Sequence, residues 1–213
     1  MLTEPNNAML HKITFDTTFH KTSIFAITAS VIFAGAAFFL PESFGDKNSP
    51  IEYAQLALLL LCCYYTYTAN NRRALFTLFG FVFFFLFLRE INYGRTLWFM
   101  ADPNDPNEFR KWKEIPYGWL AHPLVGIYLA VLLLVFVCRK MWRDVLELLS
   151  STRLPKWEML CMVLLAISAQ LVERLSHCCK LEESLELGFY TCVTTLTWRY
   201  CRGKCTPTAA SHD

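Results

Sequence analysis

Hydrophobic positions in this chain gather into long uninterrupted runs, and polar positions gather between them. The pattern lacks the strict alternation of a half-buried strand and the single apolar stripe of a soluble helix. The runs predict six helices, at 22–40, 51–69, 74–93, 116–138, 157–174 and 183–199. The first is uncharged over nineteen residues, long enough to cross a bilayer. The most apolar stretch, 74–88, is fifteen residues long. As a helix it covers about 22 Å, short of the roughly 30 Å hydrocarbon core. A crossing helix therefore carries Arg89 and Glu90 to the depth of the lipid, where charges face a protein interior or a watery cavity. Gly94 supplies a positive φ that ends this helix. The last run, 187–198, is only twelve residues, so a crossing helix must reach back through Glu186 and Glu183.

The segments between the runs are short and turn-rich. Residues 1–21 form a polar tail. A signal peptide cleaved at Ala34-Gly35-Ala36 is disfavoured, because the n-region is too long and the apolar run continues to Leu40. Pro41 to Pro50 reads as a tight loop. The one long loop holds Asp102-Pro103-Asn104-Asp105-Pro106-Asn107-Glu108. It lacks the ligand order of a calcium loop and reads as a solvated turn. Residues 139–156 are basic and amphipathic. Trp142, Val145, Leu146 and Leu149 share one face, as in a helix lying at a membrane interface. The same segment is a candidate docking surface for a protein partner.

Composition agrees with the pattern. Of 213 residues 54% are hydrophobic, 18% are charged and eighteen are Phe. Mean hydropathy is +0.31. These values predict an all-α polytopic membrane protein, a single domain whose first partner is the lipid bilayer. A net charge of +2 gives nucleic acid no footprint. The nine cysteines lack zinc-ribbon spacing and read as small apolar side chains. With six spans, twelve Lys and Arg fall on the side of the two termini and eight on the other. The positive-inside rule then places both termini in the cytoplasm. Trp98 and Trp119 would mark the outer interface, and Trp142, Trp157 and Trp198 the inner one.

Measured from their basic anchors, four of the six helices bring ionisable groups to a common depth, about 20–25 Å up. These groups are Glu90, His122, Glu173, Glu183 and Glu186. Glu183 and Glu186 share a helix face, with Tyr190 one turn below. Arg89 and Arg174 adjoin two of the carboxylates and could neutralise the shell or bind an anion. Carboxylates with an imidazole suit a divalent metal that activates water. In that reading His122, Glu173 and Glu183 are the metal ligands, and Glu90 and Glu186 the catalytic carboxylates. Glu173-x-x-x-His177 would put both groups on one face if the helix continued. The same shell suits a proton-coupled transporter, or a plain layer of interhelical ion pairs. A non-enzymatic membrane partner is the remaining alternative. Substrate and metal identity are left open by the residues.

The Arg-Glu-Ile-Asn-Tyr-Gly segment at 89–94 and the Leu-Glu-Glu-Ser-Leu-Glu-Leu segment at 181–187 resemble motifs of small bacterial inner-membrane proteins. Some of those carry a Glu-Glu-x-Ser-Trp-Gly-Gln segment in a like position. With the compact loops, this resemblance implies a multi-pass protein of the bacterial inner membrane. A more distant resemblance is to the CREST membrane hydrolases, such as alkaline ceramidases. It would imply a seven-helix core with a metal held by histidines. Six predicted helices and no His-x-x-x-His pair depart from that pattern. What the resemblance implies here is a site at Glu90, His122, Glu183 and Glu186, by depth.

Overall fold

Helices form at all six apolar runs, and a seventh forms in the amphipathic connection. The computed structural model describes residues 14–46, 48–95, 99–102, 105–175 and 178–203. The helices are α1 (Lys21–Ala36), α2 (Pro50–Tyr67), α3 (Arg73–Glu90), α4 (Ala121–Cys138), α5 (Met141–Ser151), α6 (Lys156–Leu175) and α7 (Cys179–Cys201). The local chemistry sets their ends. Ser49 caps α2 by accepting from the Glu52 N–H at 3.4 Å, with Pro50 in the first turn. α3 stops at Glu90, before the expected 93, because Tyr93 and Gly94 turn to positive φ, 53° and 87°. α7 begins earlier than expected, since Lys180, Leu181 and Glu182 are good helix formers and Glu182 suits a first turn.

The long loop is more ordered than a solvated turn. Strands β2 (Met100–Asp102) and β3 (Asp105–Phe109) pair antiparallel within it. The described part of the polar tail, from residue 14, is tied down. β1 (Phe15–Asp16) pairs parallel with β4 (Leu154–Pro155), just before α6. Trp157 reinforces this join by donating to Thr17 O at 2.9 Å and stacking on Phe19.

α7 is the centre of the bundle. α1, α2 and α6 pack around it, and α3 packs on the far side of α2. α5 lies across α3 through Met141, Val145 and Leu148. α4 is peripheral and buries none of its residues. It is held to α3 by Tyr128, which donates to Phe81 O at 2.8 Å and stacks on Phe85. Small residues let α1 and α6 approach α7. Ala26 and Ser30 of α1 are buried with Leu165 and Ala169 of α6. A side chain added at Gly188 would press on Ser30 and Leu165 at 3.2–3.3 Å. Gly35, later on α1, faces open space.

The chain runs alternately up and down. One end of the bundle collects the start of α1, the α2–α3 turn, all of α5, the start of α6 and the end of α7. The opposite end collects the 41–49 loop, the end of α3 and the start of α7, where Lys180 pairs with Glu42 at 2.8 Å. Gly45 there meets the α7 backbone so closely that a Cβ would strike the Lys180 nitrogen. Gly45→Ala is therefore expected to cost about 1–3 kcal/mol, the usual penalty of overpacking. Thermal unfolding of the purified chain checks this, with Gly35→Ala as a neutral comparison.

Among the described residues one helical stretch, Gly118–Cys138, is long and apolar enough to cross a membrane. The expected six-span bundle is not reached by that measure. α1 has sixteen residues, and α3 carries Arg73, Arg89 and Glu90. α2, α6 and α7 are diluted by polar side chains, several of which are buried between helices. The fold is all-α, with one candidate membrane span.

Candidate functional site: a buried carboxylate cluster on the central helix

Three of the carboxylates expected at one depth meet on a single face of α7 and its neighbours. Glu183, Glu186 and Tyr190 follow each other at three and four residues, so they stack along one side of α7. Glu183 is buried against α2, where Gln55 Nε2 donates to its Oε2 at 3.0 Å and to its backbone oxygen at 2.9 Å. Gln55 is wholly buried, and its Oε1 has no partner among the described residues. Glu52, one turn earlier on α2, is also buried and accepts from the Asn48 N–H. Glu90 comes in from the end of α3. It is buried and accepts from Tyr190 Oη at 2.6 Å. Glu186 lies half-buried between them, within the electrostatic reach of Glu90, Glu183, Arg89 and Glu182.

Two cations near this site have described partners. Arg89 reaches Glu90 at 3.5 Å, but more than half of its side chain is exposed. Lys180 is committed to Glu42 and to Leu40 O, 3.2 Å away. The described contacts of the cluster include two neutral donors, an amide and a phenol, and the half-exposed cation Arg89 at its edge. Each carboxylate buried in such a site favours a proton or a counter-charge.

Other residues expected in the shell lie elsewhere. His122 is exposed in the first turn of α4, edge-on to Trp112 with ring centroids 6.1 Å apart. Glu173 and Arg174 are exposed in the last turn of α6, and Glu173 accepts from Gln170 at 3.2 Å. Their depth along the helix axis matches the cluster, but α4 lies outside the bundle and the end of α6 is not covered. Among the described residues no three or more His, Cys, Asp and Glu converge to hold a metal. The described histidines, His20 and His122, are both at helix starts, and His20 is paired with Asp16 at 2.8 Å. His177, Trp98 and Lys47 lie outside the described residues.

A second buried polar contact holds the opposite end together. Arg199 of α7 donates to Glu158 Oε1 of α6 at 2.6 Å, and Thr22 of α1 adds a bond to the same oxygen at 3.3 Å. Both charged side chains are almost completely buried. Gln55 and Glu158 were not singled out by the sequence. For Gln55 the available signal is a lone amide in an apolar run. For Glu158 it is a carboxylate on a helix face that continues through Leu165 and Ala169.

No protein-family model, curated protein or solved structure matches this chain.

Proposed function

We propose that the chain is a multi-pass membrane protein whose working element is the Glu90–Glu183–Glu186 cluster, and that it is a small proton-coupled carrier. The membrane reading is supported by the inverted polarity of the bundle. Phe25, Leu60, Phe81, Leu133, Leu164 and Leu171, on five different helices, are each at least half exposed. Glu52, Gln55, Glu90, Glu158, Glu183 and Arg199 are buried. An aqueous protein keeps exposed apolar patches small and rarely buries so many charges, whereas lipid favours this arrangement. The up-and-down course also brings the Arg72-Arg73 turn and the basic 139–156 connection to one end, as both termini inside would require.

One observation carries the carrier reading: buried carboxylates whose described donors include a neutral amide and a neutral phenol. A proton bound there neutralises the cluster and would leave when it opens to water. The metal-dependent hydrolase alternative needs three or more ligands close enough to share one ion, and among the described residues no such group is found. The reading is tested with the full chain in proteoliposomes loaded with a pH-sensitive dye. Sugars, amino acids, carboxylates and inorganic cations are added outside in turn. At least one class should change the lumenal pH above protein-free vesicles. A flat response to all four overturns the carrier assignment.

A further inference from the structure

At the basic end of the bundle, away from the carboxylate cluster, two cavities share three residues. The larger is an apolar crevice of about 290 Å³, comparable to the smaller ligand sites of proteins. Phe76, Phe79 and Phe83 of α3 line it at helical spacing, facing Val193 and Leu196 of α7, with Leu148 of α5 closing one side. The smaller is a recess of about 240 Å³ that includes Asn71, Arg72, Ser151 and Thr152. Phe76, Leu148 and Tyr200 belong to both, so the recess adjoins the crevice, and a mouth between them would open past these three side chains. Arg72 is held at this mouth by a left-handed backbone, with φ 49° and ψ 42°. Its guanidinium donates to Asp144 O at 2.7 Å, Glu147 Oε1 at 2.9 Å and Ser151 Oγ at 3.3 Å. Glu147 is mostly exposed, so this ion pair is solvent-screened and weak.

We infer that this crevice holds one acyl chain of an anionic phospholipid from the leaflet at the basic end, with the headgroup phosphate on Arg72. The inference rests on the membrane reading and not on the carrier reading. The aromatic and aliphatic lining excludes a polar solute and suits a hydrocarbon chain. The mouth supplies one planar cation, Arg72, which suits a phosphodiester, while the Ser151 and Thr152 hydroxyls donate to Leu148 O at 3.3 and 2.6 Å. Arg73 and Arg202, both exposed and next to the mouth in sequence, add attraction for an anionic leaflet. α5 lies flat across the opening with Trp142 and Leu146 outward, as a helix at a lipid interface does.

The test uses the purified full chain, delipidated in detergent and returned to bilayers. The bilayers contain phosphatidylglycerol or phosphatidylcholine with a photoactivatable group on one acyl chain. Peptide mapping after illumination should find phosphatidylglycerol concentrated on residues 76–83 and 193–200. Leu196→Trp, which fills the crevice, should lose that labelling several-fold. Leu133→Trp on the exposed face of α4 should leave it unchanged. Arg72→Gln, which leaves the core intact, should remove the preference for phosphatidylglycerol over phosphatidylcholine. Labelling spread evenly over α4 and the crevice would overturn the inference. So would a preference unchanged by Arg72→Gln, or displacement of the phospholipid by free fatty acid. Alkaline carbonate washing separates the two readings. A chain released from membranes overturns both, and a retained chain without crevice labelling overturns the lipid site alone.

Discussion

Glu158→Ala is expected to be the most destabilising single substitution in the bundle. It removes the partner of Arg199, whose guanidinium is buried and held at 2.6 Å. An arginine cannot shed its charge, so the variant must bury an unpaired cation or admit water between α6 and α7. Breaking a buried pair in this way costs about 3–5 kcal/mol. The hydrogen bond from Thr22 is lost as well, and with it a link from α1 to α6. The double variant Glu158→Met with Arg199→Met should recover most of the loss, because a well-packed apolar pair is often as stable as the ion pair it replaces. Thr22→Val alone should cost about 1 kcal/mol, the net worth of an ordinary hydrogen bond. Unfolding of the purified chain by increasing denaturing detergent measures all three. If Glu158→Ala matches wild type, the pair contributes little to holding the central helix.

The second large effect is expected at the carboxylate cluster, on function and not on folding. Glu186→Gln keeps the size and hydrogen-bonding capacity of the side chain and removes its ability to take or release a proton. Uphill, pH-driven accumulation of solute should be abolished, while exchange of labelled for unlabelled solute at equal pH should persist. That split separates a proton-coupling role from a structural one, since a misfolded carrier loses both. Glu183→Gln should give the same split with an added loss of stability, because Gln55 donates to Glu183 across the α2–α7 interface. Tyr190→Phe removes the phenol that holds Glu90 and should shift the pH at which uptake is half-maximal. If Glu186→Gln transports uphill as well as wild type, the proton binds elsewhere.

Much of this architecture is written in local pattern. Uninterrupted apolar runs are long enough to determine six helices whatever they pack against, and Trp142, Val145 and Leu146 mark α5 by their shared face. The start of α2 follows from Ser49 and Pro50, whereas α3 stops at Glu90, short of the end that Gly94 suggested. The strand pairing within 100–109 was missed, although its Asp-Pro turn residues were visible. Distance along the helix from a basic anchor is what picked out Glu90, Glu183 and Glu186 together. Which helices touch was not legible. Depth places His122 and Glu173 level with the cluster, but only tertiary packing puts α4 at the edge and leaves the end of α6 uncovered. Gln55 and Glu158 were hidden for the same reason. A polar residue in a first turn or an apolar run gains its meaning from a partner on another helix. For Glu158 that partner is Arg199, forty-one residues away.

The most direct test of the central claim, that the cluster on α7 carries an exchangeable proton, is infrared spectroscopy of the protonated carboxyl stretch as pH is varied through neutrality. The wild-type chain in lipid should show a carboxylic acid band from a dehydrated site that disappears as the pH is raised. The band should be missing in Glu186→Gln and displaced in Tyr190→Phe. A wild-type spectrum with no such band, or one untouched by both substitutions, would contradict the account and leave the cluster as a fixed layer of paired charges.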